Sequence, residues 1–331
     1  MDMKKRSTSK GWKILTLLFA LLLVLPAQVL AAPEEPSGWQ EFSDISVASY
    51  YVMDADTGEE ILSHNADKKR SNASTTKIMT ALILVEDKNF DPDLLLTVSA
   101  QSLYFLDPNS ARIAALKEGD QLSTLDCLAA LLIASANDVA RVIAQNYGGA
   151  YGAVDPQRRN DAAASQELFV ARMNERAREL GALSTNFTNP AGFDEADGSH
   201  YTTAHDIAVI AAEAMKNPLI AHVVSLEYYR MPVTPAHDKA WWATMGNSNA
   251  LVIYGADYLE SQYFEKYTGV KTGTTPQAGR CLVGSGLTTD GRTLVCAALG
   301  INPVSINNMP FLARAIPVRA IMEEAARLEG V

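Results

Sequence analysis

A serine followed three residues later by a lysine, at the predicted start of a helix, constrains this chain more than any other feature. The residues are Ser74 and Lys77, in the stretch Ser-Thr-Thr-Lys. On a helix that begins near Ser74 and continues to Glu86, positions i and i+3 lie on one face, so the lysine amine can reach the serine hydroxyl. Because a serine hydroxyl is a poor nucleophile without a neighbouring base, the spacing predicts a nucleophile and its base.

The start of the same helix provides a second element of chemistry. Its first backbone N–H groups have no partner within the helix, and the helix dipole places partial positive charge there. Both features stabilise the negatively charged oxygen that forms when Ser74 attacks a carbonyl group. The sequence therefore predicts that the nucleophile and the groups stabilising the oxyanion share one helix end.

Two further motifs follow, Ser-Ala-Asn at 135–137 and Lys-Thr-Gly at 271–273. Each tripeptide alone is common in turns, but the three motifs in this order resemble the set of penicillin-binding proteins and their β-lactamase relatives. Longer stretches resemble one branch, the low-molecular-weight D-alanyl-D-alanine carboxypeptidases. They are Asn-Pro-Ala-Gly-Phe at 189–193, His-Tyr-Thr-Thr-Ala at 200–204 and Ala-Gly-Arg-Cys-Leu-Val at 278–283, and the resemblance covers roughly residues 45 to 325.

The Lys-Thr-Gly motif supplies the groups that the nucleophile lacks. A lysine acts as a base only when its pKa is lowered, and burial beside a second cation, here Lys271, would lower the pKa of Lys77. Lys271 and the Thr272 hydroxyl would also hold an anionic group of the substrate. Gly273 would allow two backbone segments to approach closely.

The remaining site residues lie on either side of the nucleophile. The Ser135 hydroxyl would relay a proton toward the leaving amine, and the Asn137 amide would bind Lys77 and the substrate backbone. The resemblance also implies that the backbone N–H of Thr274 completes the oxyanion site.

The resemblance implies a serine-type D-Ala-D-Ala carboxypeptidase that removes the terminal D-alanine from peptidoglycan stem peptides through an acyl-enzyme on Ser74. Its partners would be stem peptides ending in D-Ala-D-Ala, with β-lactam antibiotics as covalent inhibitors. Two alternatives stay open: a D,D-endopeptidase that cuts peptidoglycan crosslinks, and a sensor that binds penicillin or peptidoglycan without turnover. The implied fold is α/β (α+β) and β-lactamase/transpeptidase-like, an antiparallel sheet flanked by helices with an inserted helical lobe.

Some features depart from the related enzymes. Arg280 stands where an aromatic residue is more usual, and the segments 149–166 and 255–266 are longer than typical, which bears on substrate preference. Class A β-lactamases use an extra glutamate to free the acylated serine, and no Glu-x-x-Leu-Asn occurs between Asn137 and Lys271. Penicillin is therefore expected to acylate Ser74 and to leave slowly.

The N-terminus predicts export. Five basic residues precede a twelve-residue apolar run, 14–25, and Val-Leu-Ala at 29–31 offers a cleavage site. We expect a signal peptide over 1–31, a linker over 32–44 and a single catalytic domain over 45–331, without a C-terminal β domain or amphipathic anchor. An uncleaved anchor is the alternative, although the run is short of the ~20 residues of a spanning helix. Membrane contact is expected only if this leader is retained.

Charge and cysteine content exclude other classes. The chain has 28 basic and 38 acidic residues; removal of the leader takes five and one of these, so the net charge falls from −10 to −14. An acidic surface argues against nucleic-acid partners. The cysteines, Cys127, Cys281 and Cys296, are too few for a disulfide framework, and no Cys/His spacing predicts a metal site or a cofactor. His200 and His205 are expected in cap or loop positions.

Local patterns predict the elements. Strands at 47–53 and 60–64 form a hairpin around Asp-Ala-Asp-Thr-Gly. Ser123 to Asp126 resembles a capping box before a helix over 127–133, and a second helix runs from Asn137 to about Gly148. Other helices are expected at 168–180 and 204–216, the latter ended by Pro218. Strands at Lys271, 280–287 and 293–299 and one or two helices over 309–328, packed on the sheet, complete the chain.

Overall fold

The computed structural model describes residues 46–104, 111, 116–149, 161–232, 244–259, 261–302 and 312–331. The expected signal peptide and linker, and most of the long segment that begins at Gly149, lie outside these residues. The sheet has five antiparallel strands in the order β2-β1-β9-β8-β7, with β1 Val47–Asp54, β2 Glu60–His64, β7 Phe264–Thr275, β8 Gly279–Thr288 and β9 Thr293–Ile301. The first and last strands of the chain are therefore neighbours, and β7 forms one edge.

The helices lie mainly between β2 and β7 in the chain. They are α1 Lys77–Glu86, α2 Ala100–Leu103, α3 Thr124–Leu132, α4 Asn137–Gly148, α5 Ala162–Glu179, α6 Ala204–Met215, α7 Pro218–Val224, α8 Ala250–Tyr258 and, after β9, α9 Leu312–Leu328. Two small antiparallel pairs accompany them: β3 Leu95–Thr97 with β4 Gln121–Ser123, and β5 Tyr228–Arg230 with β6 Thr244–Gly246.

Helix α1 is the centre of the helical region. Eight of its ten residues are buried, and it packs against α3, α4, α5 and α6. A helix that is apolar on all sides must be surrounded, since no face of it can be left to water. The helix therefore has a fixed position, which fixes the position of its N-terminus.

The sheet separates two layers of helices. Successive strand residues point to opposite faces, so Val283 belongs to the main core with α1, whereas Gly284 faces Leu251, Val318 and Met322 of α8 and α9. Helix α9 thus packs on the sheet, as expected from the sequence. This mixed α+β architecture leaves the β7 edge beside the start of α1.

Local sequence signals explain most element boundaries. The β1–β2 turn is closed by Asp54, whose Oδ1 accepts from the N–H groups of Asp56 and Thr57. The Ser123 hydroxyl accepts from Asp126 N at 3.0 Å, so the predicted cap of α3 is confirmed. The hairpin and the helices from Lys77, from Asn137 and from Ala204 are confirmed as well.

The helix predicted to stop before Pro218 ends at Met215, in agreement with the prediction. The helix that follows it, α7, was not predicted: Pro218 is its first residue, where the missing N–H costs nothing, and Asn217 caps it. One predicted boundary was wrong. The helix predicted at 168–180 begins at Ala162, because Asp161 accepts hydrogen bonds from Ala163 N and Ala164 N. Helix α8 and the two small strand pairs were not predicted.

The described cysteines are all buried and free. Cys281 lies opposite Gly273, and Cys296 lies opposite Gly284, so the two strand cysteines are out of register with each other. Within the described ranges, no single helix is long and apolar enough to cross a bilayer; α6 and α7 meet that criterion only together, and they are bent by 108°.

Candidate active site

The nucleophile lies in a tight turn before α1. Residues Ala73–Thr76 form one turn of 3₁₀ helix, and α1 begins at Lys77. In a 3₁₀ turn, side chains three residues apart nearly eclipse each other. Lys77 Nζ therefore lies 2.9 Å from Ser74 Oγ.

Lys77 is fully buried and is surrounded by oxygen atoms. Besides Ser74 Oγ, its Nζ contacts Asn137 Oδ1 at 2.7 Å and the Ala191 carbonyl oxygen at 2.6 Å. Burial places its pKa well below the usual value for lysine, and the nearby charge of Lys271 lowers the pKa further, while Asp138 opposes both. The structure thus brings together the predicted nucleophile, the predicted base and the predicted amide.

The Ala191 carbonyl is held by a compact turn, formed by the Asn-Pro-Ala-Gly-Phe stretch, for which the sequence predicted no role. Asn189 Oδ1 accepts from the N–H groups of Ala191, Gly192 and Phe193 at 3.2, 2.7 and 3.0 Å. Gly192 has φ +87°, and a Cβ there would lie 1.9 Å from the Ala73 carbonyl oxygen. The Asn-Pro-Ala-Gly turn therefore positions the Ala191 carbonyl oxygen within hydrogen-bond distance of the Lys77 amine.

His200 joins that turn region to the nucleophile segment. Its Nδ1 lies 3.1 Å from Thr188 N, and its Nε2 lies 2.8 Å from Thr76 Oγ1. Because a backbone N–H can only donate, Nδ1 carries no proton and Nε2–H donates to Thr76. Burial lowers the pKa of His200 to about 4, so the ring is neutral near pH 7.

Ser135 and Asn137 form the wall made by the α3–α4 turn. Ser135 has φ +60°, a left-handed conformation uncommon outside glycine, and Asn137 begins α4. Asn137 N donates to the Ala111 carbonyl, while its side chain reaches Lys77. The Ser135 hydroxyl has no hydrogen bond to any described residue.

The edge strand β7 forms the opposite wall. Lys271 is 1% exposed; burial and then the charge of Arg314 lower its pKa to about 7, and its Nζ donates to the Thr272 carbonyl at 3.0 Å. The Thr272 hydroxyl is 2.6 Å from Ser248 Oγ. Both predicted anion-binding residues therefore lie on one strand.

Gly273 is the point where β7 meets the nucleophile segment. A Cβ on Gly273 would lie 3.0 Å from the Asn72 carbonyl oxygen and 3.1 Å from Ser74 N. Such distances leave little room for a side chain between strand and helix start. Thr274, the next residue, is exposed on the strand.

Arg314 was not found from the sequence. It extends from α9 to the same strand, where Nη2 lies 3.2 Å from Thr274 Oγ1 and Nη1 lies 3.4 Å from the Gly273 carbonyl. Burial and then the charge of Arg280 lower its pKa. No motif marks this arginine, because only the packing of α9 on the sheet brings it to the site.

Comparison with known proteins identifies the arrangement. A family described as D-alanyl-D-alanine carboxypeptidase matches residues 33–155 and 159–302. The chain belongs to this family. Members of the D-alanyl-D-alanine carboxypeptidase family are serine peptidases, so the chain is a hydrolase of that type.

Several relatives are similar over most of the chain. The D-alanyl-D-alanine carboxypeptidase of Streptomyces sp. (strain K15) is 30% identical over 77% of this chain and 81% of its own. DacF of Bacillus subtilis (strain 168) is 28% identical over 82% of this chain, which spans 61% of that protein. A relative in Pseudomonas aeruginosa that is 28% identical, over 81% of this chain and 76% of its own, is named a D-alanyl-D-alanine endopeptidase.

The fold agrees with these matches. The crystal structure of the Streptomyces K15 DD-transpeptidase superposes with a TM-score of 0.69 at 29% identity, covering 86% of this chain and 97% of that one. The expected β-lactamase/transpeptidase-like fold is thereby confirmed. Among the described residues, no three His, Cys, Asp or Glu side chains are grouped to hold a metal.

Gly192→Ala should damage the site. The change forces an L side chain into φ +87° and against the Ala73 carbonyl, so we expect a destabilisation of at least about 2 kcal/mol. Acylation by a fluorescent penicillin should slow more than about tenfold, because the Ala191 carbonyl moves away from Lys77.

Gly198→Ala is the matched control for this prediction. Gly198 also has positive φ, at +71°, but no atom lies within 4 Å of a Cβ there. It should lose about 1 kcal/mol and keep its acylation rate. Equal acylation rates for the two variants would contradict the role given to the turn.

His200 should make stability depend on pH. Its pKa is 6.5 when unfolded and about 4 when folded, so protonation favours the unfolded chain as the pH falls from 6.5 toward 4. In urea unfolding, the stability difference between wild type and His200→Gln should shrink by about 2 kcal/mol from pH 7.5 to pH 5.

His205 provides the opposite control. Its hydrogen bond to Asp206 raises its pKa, so its contribution is complete below pH 6.5 and is lost at higher pH. The advantage of wild type over His205→Gln should therefore grow toward pH 5. The same pH trend for both variants would show that the two histidines are not in these states.

Proposed function

We propose that the chain is a serine-type D-Ala-D-Ala carboxypeptidase that removes the terminal D-alanine from peptidoglycan stem pentapeptides through an acyl-enzyme on Ser74. The observation that carries this proposal is the set of acceptors around Lys77. A hydroxyl held against an amine of lowered pKa is the requirement for nucleophilic attack by serine.

The lowered pKa of Lys77 favours a neutral amine, and its hydrogen-bond partners fit that state. The Asn137 Oδ1 atom and the Ala191 carbonyl can only accept, so they take the two N–H groups of a neutral Lys77 amine. The amine lone pair then points at Ser74 Oγ, 2.9 Å away, and receives its proton as the serine attacks.

The acyl-enzyme forms between the two walls. The Ser74 N–H at the helix start and the Thr274 N–H on β7 stabilise the oxyanion, and Gly273 keeps the strand close enough for both to act. The Ser135 hydroxyl passes the proton to the leaving amine. Water then hydrolyses the ester, with Lys77 again serving as the base.

The terminal carboxylate of the substrate is bound by cations on the strand side. Lys271, the Thr272 hydroxyl and Arg314 form a positively charged corner beside Gly273. A guanidinium binds a carboxylate through two parallel N–H groups, which selects a peptide with a free C-terminus. The same corner would bind the carboxylate of a β-lactam, which acylates Ser74 and leaves slowly.

An endopeptidase that cuts crosslinks is the second candidate, supported by the Pseudomonas relative with that name. A sensor without turnover is disfavoured, because Lys77, Ser135 and Lys271, the residues expected to support turnover, are all present. We further infer export of the protein by its N-terminal segment to the cell envelope or beyond, with membrane contact only if that segment is retained, since its sequence has the charge and length of a signal peptide.

The direct test is release of D-alanine from a synthetic pentapeptide by the purified protein, with fluorescent penicillin labelling in parallel. Ser74→Ala should abolish release and labelling, and Lys77→Ala should slow both by more than about a thousandfold, since the base is lost. Labelling of wild type without D-alanine release would contradict the carboxypeptidase; cleavage of a crosslinked dimer would then indicate the endopeptidase.

The pH dependence of kcat/KM should be bell-shaped. The acid limb reports deprotonation of Lys77, and the alkaline limb, near pH 7, reports loss of the charge of Lys271, which binds the carboxylate. Arg314→Gln should move the alkaline limb to higher pH, because the charge of Arg314 lowers the pKa of Lys271.

Arg327→Gln makes the same change of charge on the same helix, but Arg327 is on the surface and paired with Glu324. The alkaline limb of the kcat/KM profile of Arg327→Gln should lie at the same pH as that of wild type. A limb that stays in place in Arg314→Gln would contradict the coupling between Arg314 and Lys271.

A further inference from the structure

Two arginines lie side by side at the end of the β7 wall. Arg280 of β8 is the register partner of Thr274, and directly opposite residues of antiparallel strands carry their side chains on the same face. Arg314 of α9 approaches the same residue, with Nη2 3.2 Å from Thr274 Oγ1. Thr274 thus contacts one guanidinium and has a second arginine directly across the strand, close enough for the charge of Arg280 to lower the pKa of Arg314.

Neither guanidinium is paired with an acid in the described part of the chain. Other arginines are paired: Arg176 contacts Glu86 and Glu213, and Arg292 contacts Asp290 and Glu329. Such pairing is easily available in a chain with 38 acidic and 28 basic residues. Two adjacent cations without a counter-ion repel each other, and an anionic ligand relieves that repulsion.

One terminal carboxylate does not require both groups. A single guanidinium binds one carboxylate with its two parallel N–H groups. Arg314 already lies against Gly273 and Thr274, next to Lys271, and suffices for the terminal carboxylate. Arg280, half-exposed one strand further along, is left for another anion.

We propose that Arg280 binds a second carboxylate on the leaving residue, so that the site accepts substrates whose C-terminal residue is a dicarboxylate. This inference rests on the proposed function. The reaction itself is unchanged: the bond from Ser74 Oγ to carbon forms, the carbon–nitrogen bond breaks, the leaving amine takes the proton, and water releases the acyl group. A C-terminal acidic D-amino acid and a crosslinking diamino diacid whose second carboxyl group is free share this chemistry.

The test compares peptides of the form diacetyl-L-Lys-D-Ala-D-Xaa, where Xaa is Glu or its uncharged isostere Gln. Wild type should show a kcat/KM for the D-Glu peptide more than about tenfold above that for the D-Gln peptide, mainly through a lower KM. Arg280→Gln should bring this ratio to within about twofold of one. Arg280→Tyr, which places an aromatic residue there, should do the same, and Arg280→Lys should restore part of it.

A wild-type ratio near one, or a ratio unchanged in both Arg280 variants, would overturn the proposal. If a variant does not fold, the D-Glu/D-Gln ratio of wild type decides by itself. Penicillin labelling of wild type and its release of D-alanine from the D-Ala-D-Ala peptide show whether the proposed function holds when the role of Arg280 fails.

A crosslinked peptide, with a diamino diacid that has a free second carboxyl group as the leaving group, then distinguishes the two sources of the second carboxylate. Cleavage that depends on Arg280 assigns the crosslink, and cleavage of the D-Glu peptide alone assigns a stem end.

Discussion

The structure depends on a lysine amine buried among oxygen atoms. An unpaired ammonium group inside a protein costs several kcal/mol, and this cost is avoided when the amine is neutral and its N–H groups are bound. Burial lowers the pKa of Lys77, and acceptors from separate parts of the chain bind its N–H groups: the α4 N-terminus supplies Asn137 and the 189–193 turn supplies the Ala191 carbonyl. Ser74 Oγ then lies on the remaining side of the Lys77 nitrogen, where the lone pair of a neutral amine would be. Folding thus prepares the base before any substrate arrives.

On the β7 side of the site, neighbouring cations repel each other. Lys271 is held near Lys77, and Arg314 is held near Lys271, so the charge of Lys271 lowers the pKa of Lys77 and the charge of Arg314 lowers the pKa of Lys271. The cost of holding these cations close together is offset by the packing of α9 on the sheet, in which residues on both faces of β8 and β9 are buried. A carboxylate that enters the corner relieves the repulsion. In the proposed reaction, the anionic end of the substrate would bind there, with its attacked carbonyl beside Ser74.

Local sequence signals predicted much of the fold, whereas features that depend on contacts between distant parts of the chain were not predicted. The β1–β2 hairpin and the start of α3 depend on side chains within a few residues, Asp54 and Ser123, so the sequence shows them. Helix α7 was not predicted because proline both follows helix ends and begins helices, and the Asn217 cap is what shows that a second helix begins there. Ordered motifs predicted the site residues themselves.

The residues that support the site were harder to predict. The Ala191 carbonyl has no side-chain signature, and its role depends on a turn folded against the Ala73 carbonyl. Arg314 is far from every motif in sequence and reaches Thr274 only because α9 crosses the sheet. Such contacts are set by tertiary packing, and a single sequence contains no local record of them.

The protonation state of Lys77 is the property on which the proposed mechanism depends most. An NMR titration of protein with ¹³C-labelled lysine side chains, with the Lys77 signal assigned by its loss in Lys77→Arg, reads that state without substrate. We predict a pKa well below 10.5, the ordinary value for lysine, and well separated from those of exposed lysines. Titration of the Lys77 signal together with the exposed lysines would contradict it, because a charged amine has no lone pair to take the proton of Ser74.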